Sequence, residues 1–278
     1  MSVNAVTDVR AELGEGPRWD AATGTLLWVD IEGRMLHRWD GSRVETLRFD
    51  ERIGCAAPTD DGDVVVGLAS RVALASSGET LARFPHGADV RANDGACDPE
   101  GRLWVGTMHL QQLPGAAALY RLDGGTLTPK LEGLTISNGL GWSADGTRMW
   151  FVDTPTQRIV EYAYDGELGE QRTFAAIEKA DGSPDGLAVD DQDGVWVGLW
   201  AGSCVRRYAP DGDLDRVIAL PAANVTACCF GGPDRRTLFI TTAAPDGRLY
   251  AVDVDVAGPA AQPFRRTAPS DAEPTSAR

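Results

Sequence analysis

Asp98-Pro99-Glu100-Gly101-Arg102-Leu103-Trp104-Val105 is an acidic turn that runs into a short β segment carrying a large residue. The pattern returns at Asp20 to Val29, Asp60 to Val66, Asp145 to Phe151, Asp193 to Val197 and Pro233 to Ile240. Its large residue falls at Trp28, Val65, Trp104, Trp150, Trp196 and Phe239, at intervals of 37, 39, 46, 46 and 43 residues. Self-similarity at about 40–50 residues marks a repeat architecture. The units are rich in β-forming runs and are divided by Asp-Gly and similar turn pairs, with no amphipathic helical window between them. Four-stranded units of this length are propeller blades. Six units predict an all-β fold, a six-bladed β-propeller, as a single domain over residues 1–264. Four tryptophans at one place in four units argue against a sandwich with chance turn repeats. They read as wedges packed between blades.

Composition narrows the chemistry. With 41 Asp and Glu against 26 Lys and Arg, the formal charge is -15. That disfavours nucleic acid and anionic membranes, both of which reward clustered cations. No stretch approaches the ~20 apolar residues of a membrane span. Residues 1–8 have neither a basic start nor an apolar run, so the expectation is a cytoplasmic protein rather than an exported one. The five cysteines are odd in number and form no C-x-x-C pair, which reads as small buried thiols in a reducing compartment. The three histidines, His37, His86 and His109, are badly spaced for a zinc site. Any metal is therefore expected on oxygen ligands. Residues 265–278 are polar and contain proline, and are expected to form a disordered tail.

In a propeller the first strand of each blade lines the central channel. Aligning the segments before the turns places Glu15, Ile53, Asn93, Asn138 and Asp185 at equivalent positions, with Thr226 or Ala227 in the sixth blade. Equivalent positions form a ring at one channel mouth. Four of them carry side-chain oxygens. Two carboxylates facing each other in a closed ring repel unless a cation lies between them. The donors Glu15, Asn138 and Asp185, with water and Asn93 as further candidates, suit a hard divalent ion. Taken singly, Asn138-Gly139 and Asp185-Gly186 read as hairpin turns. Their place at the start of channel strands favours the ring. Glu15 is either a ligand or a solvated charge in a Gly-rich loop. Arg91, two residues before Asn93, faces the same side of its strand. It either holds a polar ligand or pairs with Asp94. His109, at the end of a blade strand, borders the same mouth or is a bystander. Arg18 and Trp19 read as structural.

Several stretches carry a family resemblance. L-G-E-G-P (13–17), R-A-N-D-G (91–95), D-P-E-G-R-L-W-V-G-T-M (98–108), S-N-G-L-G-W-S-A-D-G (137–146) and S-P-D-G-L-A-V-D (183–190) resemble the SMP-30/gluconolactonase/regucalcin-like family. Residues 221–243 resemble its bacterial sugar lactonases. The resemblance spans roughly residues 8 to 256, in order. It implies a six-bladed propeller holding one divalent metal ion (Ca, Zn, Mg, Mn or Fe) on Glu15, Asn138 and Asp185. It implies Asp185 as catalytic base and Arg91 and Asn93 as substrate contacts. Animal members carry an acidic substrate-binding residue shortly after G-T-M. This chain instead reads His109-Leu110-Gln111-Gln112 there, with His109 and Gln111 in position to contact a sugar hydroxyl.

The implied activity is hydrolysis of a sugar lactone to the aldonic acid, by metal polarisation of the carbonyl and Asp-assisted attack of water. No Ser or Cys nucleophile beside a histidine is evident. A phosphotriesterase or arylesterase on the same scaffold is one alternative, for which a further acidic residue is expected where Ile53 stands. A non-catalytic propeller that binds metal or sugar is the other. The expected partner is a small sugar lactone, and the expected state a monomer or small homo-oligomer. Ring closure is expected to pair Val6–Ala11 with the segment around Arg248–Asp253.

Overall fold

The computed structural model describes residues 2–259 and 261–266. The described residues form twenty-four strands in six four-stranded antiparallel sheets, a six-bladed β-propeller. Blade one holds β2 (Gly14–Asp20), β3 (Thr25–Asp30), β4 (Met35–Trp39) and β5 (Val44–Arg48). Blade two holds β6 (Ile53–Pro58), β7 (Val64–Leu68), β8 (Arg71–Leu74) and β9 (Thr80–Arg83). Blade three holds β10 (Val90–Cys97), β11 (Leu103–His109), β12 (Ala117–Asp123) and β13 (Thr126–Leu134). Blade four holds β14 (Ser137–Trp142), β15 (Arg148–Asp153), β16 (Arg158–Tyr164) and β17 (Leu168–Ala176). Blade five holds β18 (Ser183–Val189), β19 (Val195–Trp200), β20 (Cys204–Tyr208) and β21 (Leu214–Ala219). Blade six combines β22 (Val225–Gly231), β23 (Thr237–Thr242) and β24 (Tyr250–Asp253) with β1 (Asn4–Ala5) from the other end of the chain. No helix among the described residues is long and apolar enough to cross a membrane.

The ring closes in the expected sheet but a few residues earlier than anticipated. Asn4 faces Ala251 and Ala5 faces Tyr250 in β24. The stretch Val6–Ala11 then leaves the ladder, with single backbone bonds from Val6 N to Leu249 O and from Ala11 N to Gly247 O. The C-terminal end also departs from expectation. Arg265 N donates to Gly101 O at 2.9 Å, and the Arg266 guanidinium pairs with Asp61 at 2.6 Å. The tail anticipated from 265 is thus anchored at its first two residues. Positions 267–278 lie outside the described residues.

Burial follows the ring. The inner strands are covered on both faces, whereas the outer strands β5 and β21 are largely exposed. Trp104, Trp150 and Trp196 share one place, each packing forward on the next blade. Trp28 does not share it. Asp153 and Asp30 are equivalent anchors, and counting three residues back from them reaches Trp150 and Leu27. Leu27 packs forward on Ile53 and Val64, while Trp28 turns back onto Cys229 and Phe239 of blade six. A one-residue offset in a strand reverses the face, so the repeat is read correctly in period but wrongly in phase at this unit.

The turn aspartates have a structural task. Asp98 Oδ2 accepts from Trp104 Nε1, Arg102 Nε and the Tyr164 hydroxyl. Asp190 Oδ2 accepts from Trp196 Nε1 and Arg207 Nε. Both are fully buried. Each fixes a wedge tryptophan to its own turn. All five cysteines are free and buried.

Candidate active site at one channel mouth

Every innermost strand breaks register near its start. The shifts fall at Glu15/Arg18, Ile53/Cys55, Ala92/Gly95, Ser137/Leu140, Pro184/Leu187 and Val225/Cys228. Such bulges re-aim side chains. Here they release Asn93, Asn138 and Asp185 from the ladder, with Glu15 on the last paired residue before its own bulge. Asn138-Gly139 and Asp185-Gly186 therefore lie within β14 and β18 rather than in hairpin turns. Their glycines are needed because adjacent inner strands nearly touch. A Cβ on Gly139 would stand 2.5 Å from Asp185 O, and one on Gly186 would collide with Ala227.

The ring residues open onto a cavity of about 390 Å³ lined by Glu15, Arg91, Asn93, Asn138 and Asp185 at its floor. That volume falls in the range of roughly 300–1,000 Å³ for small-molecule sites. The walls add Leu13, Met108, Gln112, Ile136, Thr154, Pro155, Gln157, Lys179, Ser183 and Trp200. Ile53 is instead an apolar core residue. In blade six the ring position is held by Thr226, whose hydroxyl donates to Gly14 O at 2.6 Å and lies 2.9 Å from Thr241 Oγ1.

The floor groups are almost fully buried, and their partners define their roles. Asn138 Nδ2 donates to Thr154 Oγ1, which in turn donates to Pro184 O. This fixes the amide and leaves Asn138 Oδ1 without a partner. Asp185 Oδ1 is also without a partner. Asn93 is fully engaged: its Nδ2 donates to Ser137 O at 3.0 Å and its Oδ1 accepts from Arg91 Nη1 at 2.7 Å. Arg91 Nη1 also donates to Ala92 O. Of the two possibilities for Arg91, pairing with Asp94 is not seen. Asp94 binds Arg18 instead, at 3.2 Å in the channel below. Arg18 is structural in that sense, spanning blades one and three.

The charges are strained in the metal-free site. Burial, and then the Asp94 carboxylate, push Glu15 up to about 8, against the opposing Gly16 N–H, Arg91 and Arg18. Asp185 is raised well above the ordinary carboxylate range by burial, then by Glu15 and Asp94, with Asn138 and Arg91 pulling it down. The two carboxyl groups thus resist ionising together. Unpartnered buried oxygens on Asn138 and Asp185, beside a third oxygen donor on Glu15, fit a hard divalent cation in both donor type and charge. Among the described residues no three His, Cys, Asp or Glu side chains cluster. The donor set therefore depends on the amide of Asn138.

His109 and Gln111 stand on the hairpin beside the mouth but do not line the cavity. His109 Nδ1 accepts from Gln111 N at 3.0 Å, so the two serve each other. Met108 and Gln112 from the same segment face the cavity instead. Gln112 carries a left-handed φ of 53°, which turns the loop there. Sequence reasoning missed Gln112, Gln157, Lys179 and Trp200. The S-P-D-G motif next to Lys179 was the available signal for that wall.

A family described as "SMP-30/Gluconolactonase/LRE-like region" matches residues 13–244. An L-arabinolactonase of Azospirillum brasilense is 38% identical over 252 residues, covering 86% of this chain and 83% of that protein. A pentonolactonase of Haloferax volcanii is 35% identical over 256 residues, covering 89% of this chain and 87% of that protein. A solved structure of a calcium-binding protein, regucalcin, from Agrobacterium tumefaciens superposes with a TM-score of 0.90 at 26% identity. That match covers 94% of this chain and 96% of the other. The ring of bulged channel strands and these matches together place the chain in the SMP-30/gluconolactonase/LRE-like family.

Proposed function

We propose that this protein is a lactonase that opens a sugar lactone to its aldonic acid with the help of one divalent cation. The observation that carries the reading is the pair of buried, unpartnered oxygens, Asn138 Oδ1 and Asp185 Oδ1, on the floor of the cavity. The names of the arabinolactonase and pentonolactonase relatives support the substrate class. The calcium-binding relative supports the cation.

Glu15, Asn138 and Asp185 would hold the ion, which when bound supplies a Lewis acid for the lactone carbonyl. Beside a cation Asp185 is ionised, and only then can it accept a proton. It takes the proton from the attacking water as the water oxygen bonds to the carbonyl carbon. The ring C–O bond then breaks, and the proton passes to the departing ring oxygen. Arg91, held rigid by Asn93 Oδ1 and Ala92 O, offers its remaining N–H groups to substrate hydroxyls. No nucleophilic thiol competes, since burial raises all five cysteines, Cys55 up to about 12.

Acid release from a panel of five- and six-carbon aldonolactones tests the reading. Turnover should vanish on chelation and return with added Mg²⁺, Mn²⁺, Ca²⁺ or Zn²⁺. Full activity in chelator-treated, metal-free protein would sink the role of the cation.

A further inference from the structure

Two wall groups, Lys179 and Trp200, play no part in the carbonyl chemistry. The chain has two lysines. Lys130 is tied to Glu167 at 3.0 Å. Lys179 lines the cavity and forms no ion pair among the described residues. Its nearby acid Asp181 is taken by Arg206 at 3.1 Å. Lys179 is exposed, and in a chain of charge -15 a cation at the cavity rim with no protein partner is placed to meet an anionic ligand.

The wall that presents Lys179 is rigid. Lys179–Asp181 form a single 3₁₀ turn ended by Gly182, whose φ is 113°. A Cβ at Gly182 would lie 2.8 Å from Gly202 Cα and from Trp200 O, so this turn sits directly on the tip of the blade-five hairpin. Gln157 Nε2 from blade four donates to Gly182 O at 2.9 Å and ties the same turn from the other side. The backbone segments that carry Lys179 and Trp200 are thereby held together. Trp200 is 38% exposed, and it is the one exposed large hydrophobic residue among those described that lines the cavity. An aromatic face beside a cation suits a sugar ring that ends in an anion.

The charge balance agrees. A divalent ion would offset Glu15 and Asp185, and Arg18 offsets Asp94. Arg91 and Lys179 remain, leaving the loaded cavity net positive.

We propose that Lys179, with Trp200, forms a distal subsite that selects lactones bearing an anionic group on the exocyclic carbon over their neutral congeners. The inference rests on the lactonase reading and specifies its substrate class. The test compares D-glucono-δ-lactone with its 6-phosphate and 6-sulfonate counterparts at low and high ionic strength. The wild type should favour at least one anionic lactone by about 10-fold in kcat/KM, as a charge-assisted contact implies. The preference should act through KM and shrink with salt. Lys179→Met should collapse the anionic-to-neutral ratio towards one, and Lys179→Arg should retain it. A wild-type ratio at or below one, or a ratio unmoved in Lys179→Met, overturns the subsite while leaving the lactonase reading intact. No turnover of any lactone by the wild type overturns both.

Discussion

The two mouths of the channel are built from opposite ends of the same six strands, and they differ in the polar groups that they present. The starts of β2, β10, β14 and β18 bring Glu15, Asn93, Asn138 and Asp185 to a cavity of about 390 Å³. Their far ends bring Ala57, Ala96, Cys97, Ala188, Cys228 and Cys229 to a smaller one of about 170 Å³. The first mouth keeps buried oxygens unpartnered. The second is lined by Arg18, by the aromatic rings of Trp19, Trp142 and Phe230 and by small apolar groups and thiols, and a C-terminal strap reaches it with Pro259, Ala261 and Gln262. That strap is bound along its length: Ala257 O accepts from Asp191 N, Gly258 N donates to Arg235 O, and Phe264 N donates to Pro58 O. Unsatisfied polar groups are costly in a fold. At the first mouth the unpartnered groups are oxygens, Asn138 Oδ1 and Asp185 Oδ1, whereas at the second they are the N–H donors of Arg18 and Trp142, so the first is where a cation would supply the missing partner.

The largest effect expected from breaking this contrast is chemical. Asp185→Asn keeps the shape and removes the charge. It should lower kcat by about 10²–10⁴-fold, the usual worth of a general base, while circular dichroism and melting stay native-like. Cys228→Ala, at the second mouth, should leave kcat unchanged. Equal turnover by Asp185→Asn and wild type would remove Asp185 from the role of base.

At the second mouth the expected cost is structural. Phe264 is buried against Cys55, Ala57, Val65 and Cys97. Its carbonyl accepts from Asp60 N at 3.0 Å, so it joins the strap to blade two. Phe264→Ala should lose about 3 kcal/mol of stability in denaturant unfolding, at the low end for a buried phenylalanine. The lactone KM should not move. A shifted KM with unchanged stability would show that the strap serves the distant cavity instead of the fold.

The period of the repeat made the propeller legible, because one blade cannot bury its faces alone and so each unit repeats the same turn and strand. Phase was harder to read. Leu27 and Trp28 are both large and apolar, and only the pairing of Asp30 with Gly14 shows which of them faces forward. The ring of Glu15, Asn138 and Asp185 was legible because its members recur at one place in successive units. The bulges that free them were not, since Asn-Gly and Asp-Gly are more familiar as turns. The distal wall was the least visible part. Lys179, Gln157 and Trp200 come from three different segments and share no period. The loop after β11 was misjudged by a single residue on each side: His109 and Gln111 bond each other, and Met108 and Gln112 face inward.

The smallest effect is a gain of stability, and it tests whether the open mouth is held at a cost. Burial and the Asp94 carboxylate hold Glu15 up to about 8, against an ordinary 4.5. Between those values the folded state keeps a proton that the unfolded chain has released. Metal-free stability should therefore fall as pH rises through that window, and level off on either side. Glu15→Gln removes the burden of ionisation. It should stabilise the metal-free protein above that window and have no effect below ~pH 4. Asp185 is raised in the same direction, so the variant should keep part of the slope. Added Ca²⁺ should raise the melting temperature of the wild type more at high pH than at low, because uptake then displaces fewer protons. The same addition should do much less for Glu15→Gln. A variant with the wild-type pH slope and the wild-type response to Ca²⁺ would mean that Glu15 is solvated, as a charge in a Gly-rich loop would be, and that the two mouths differ less than their buried oxygens imply.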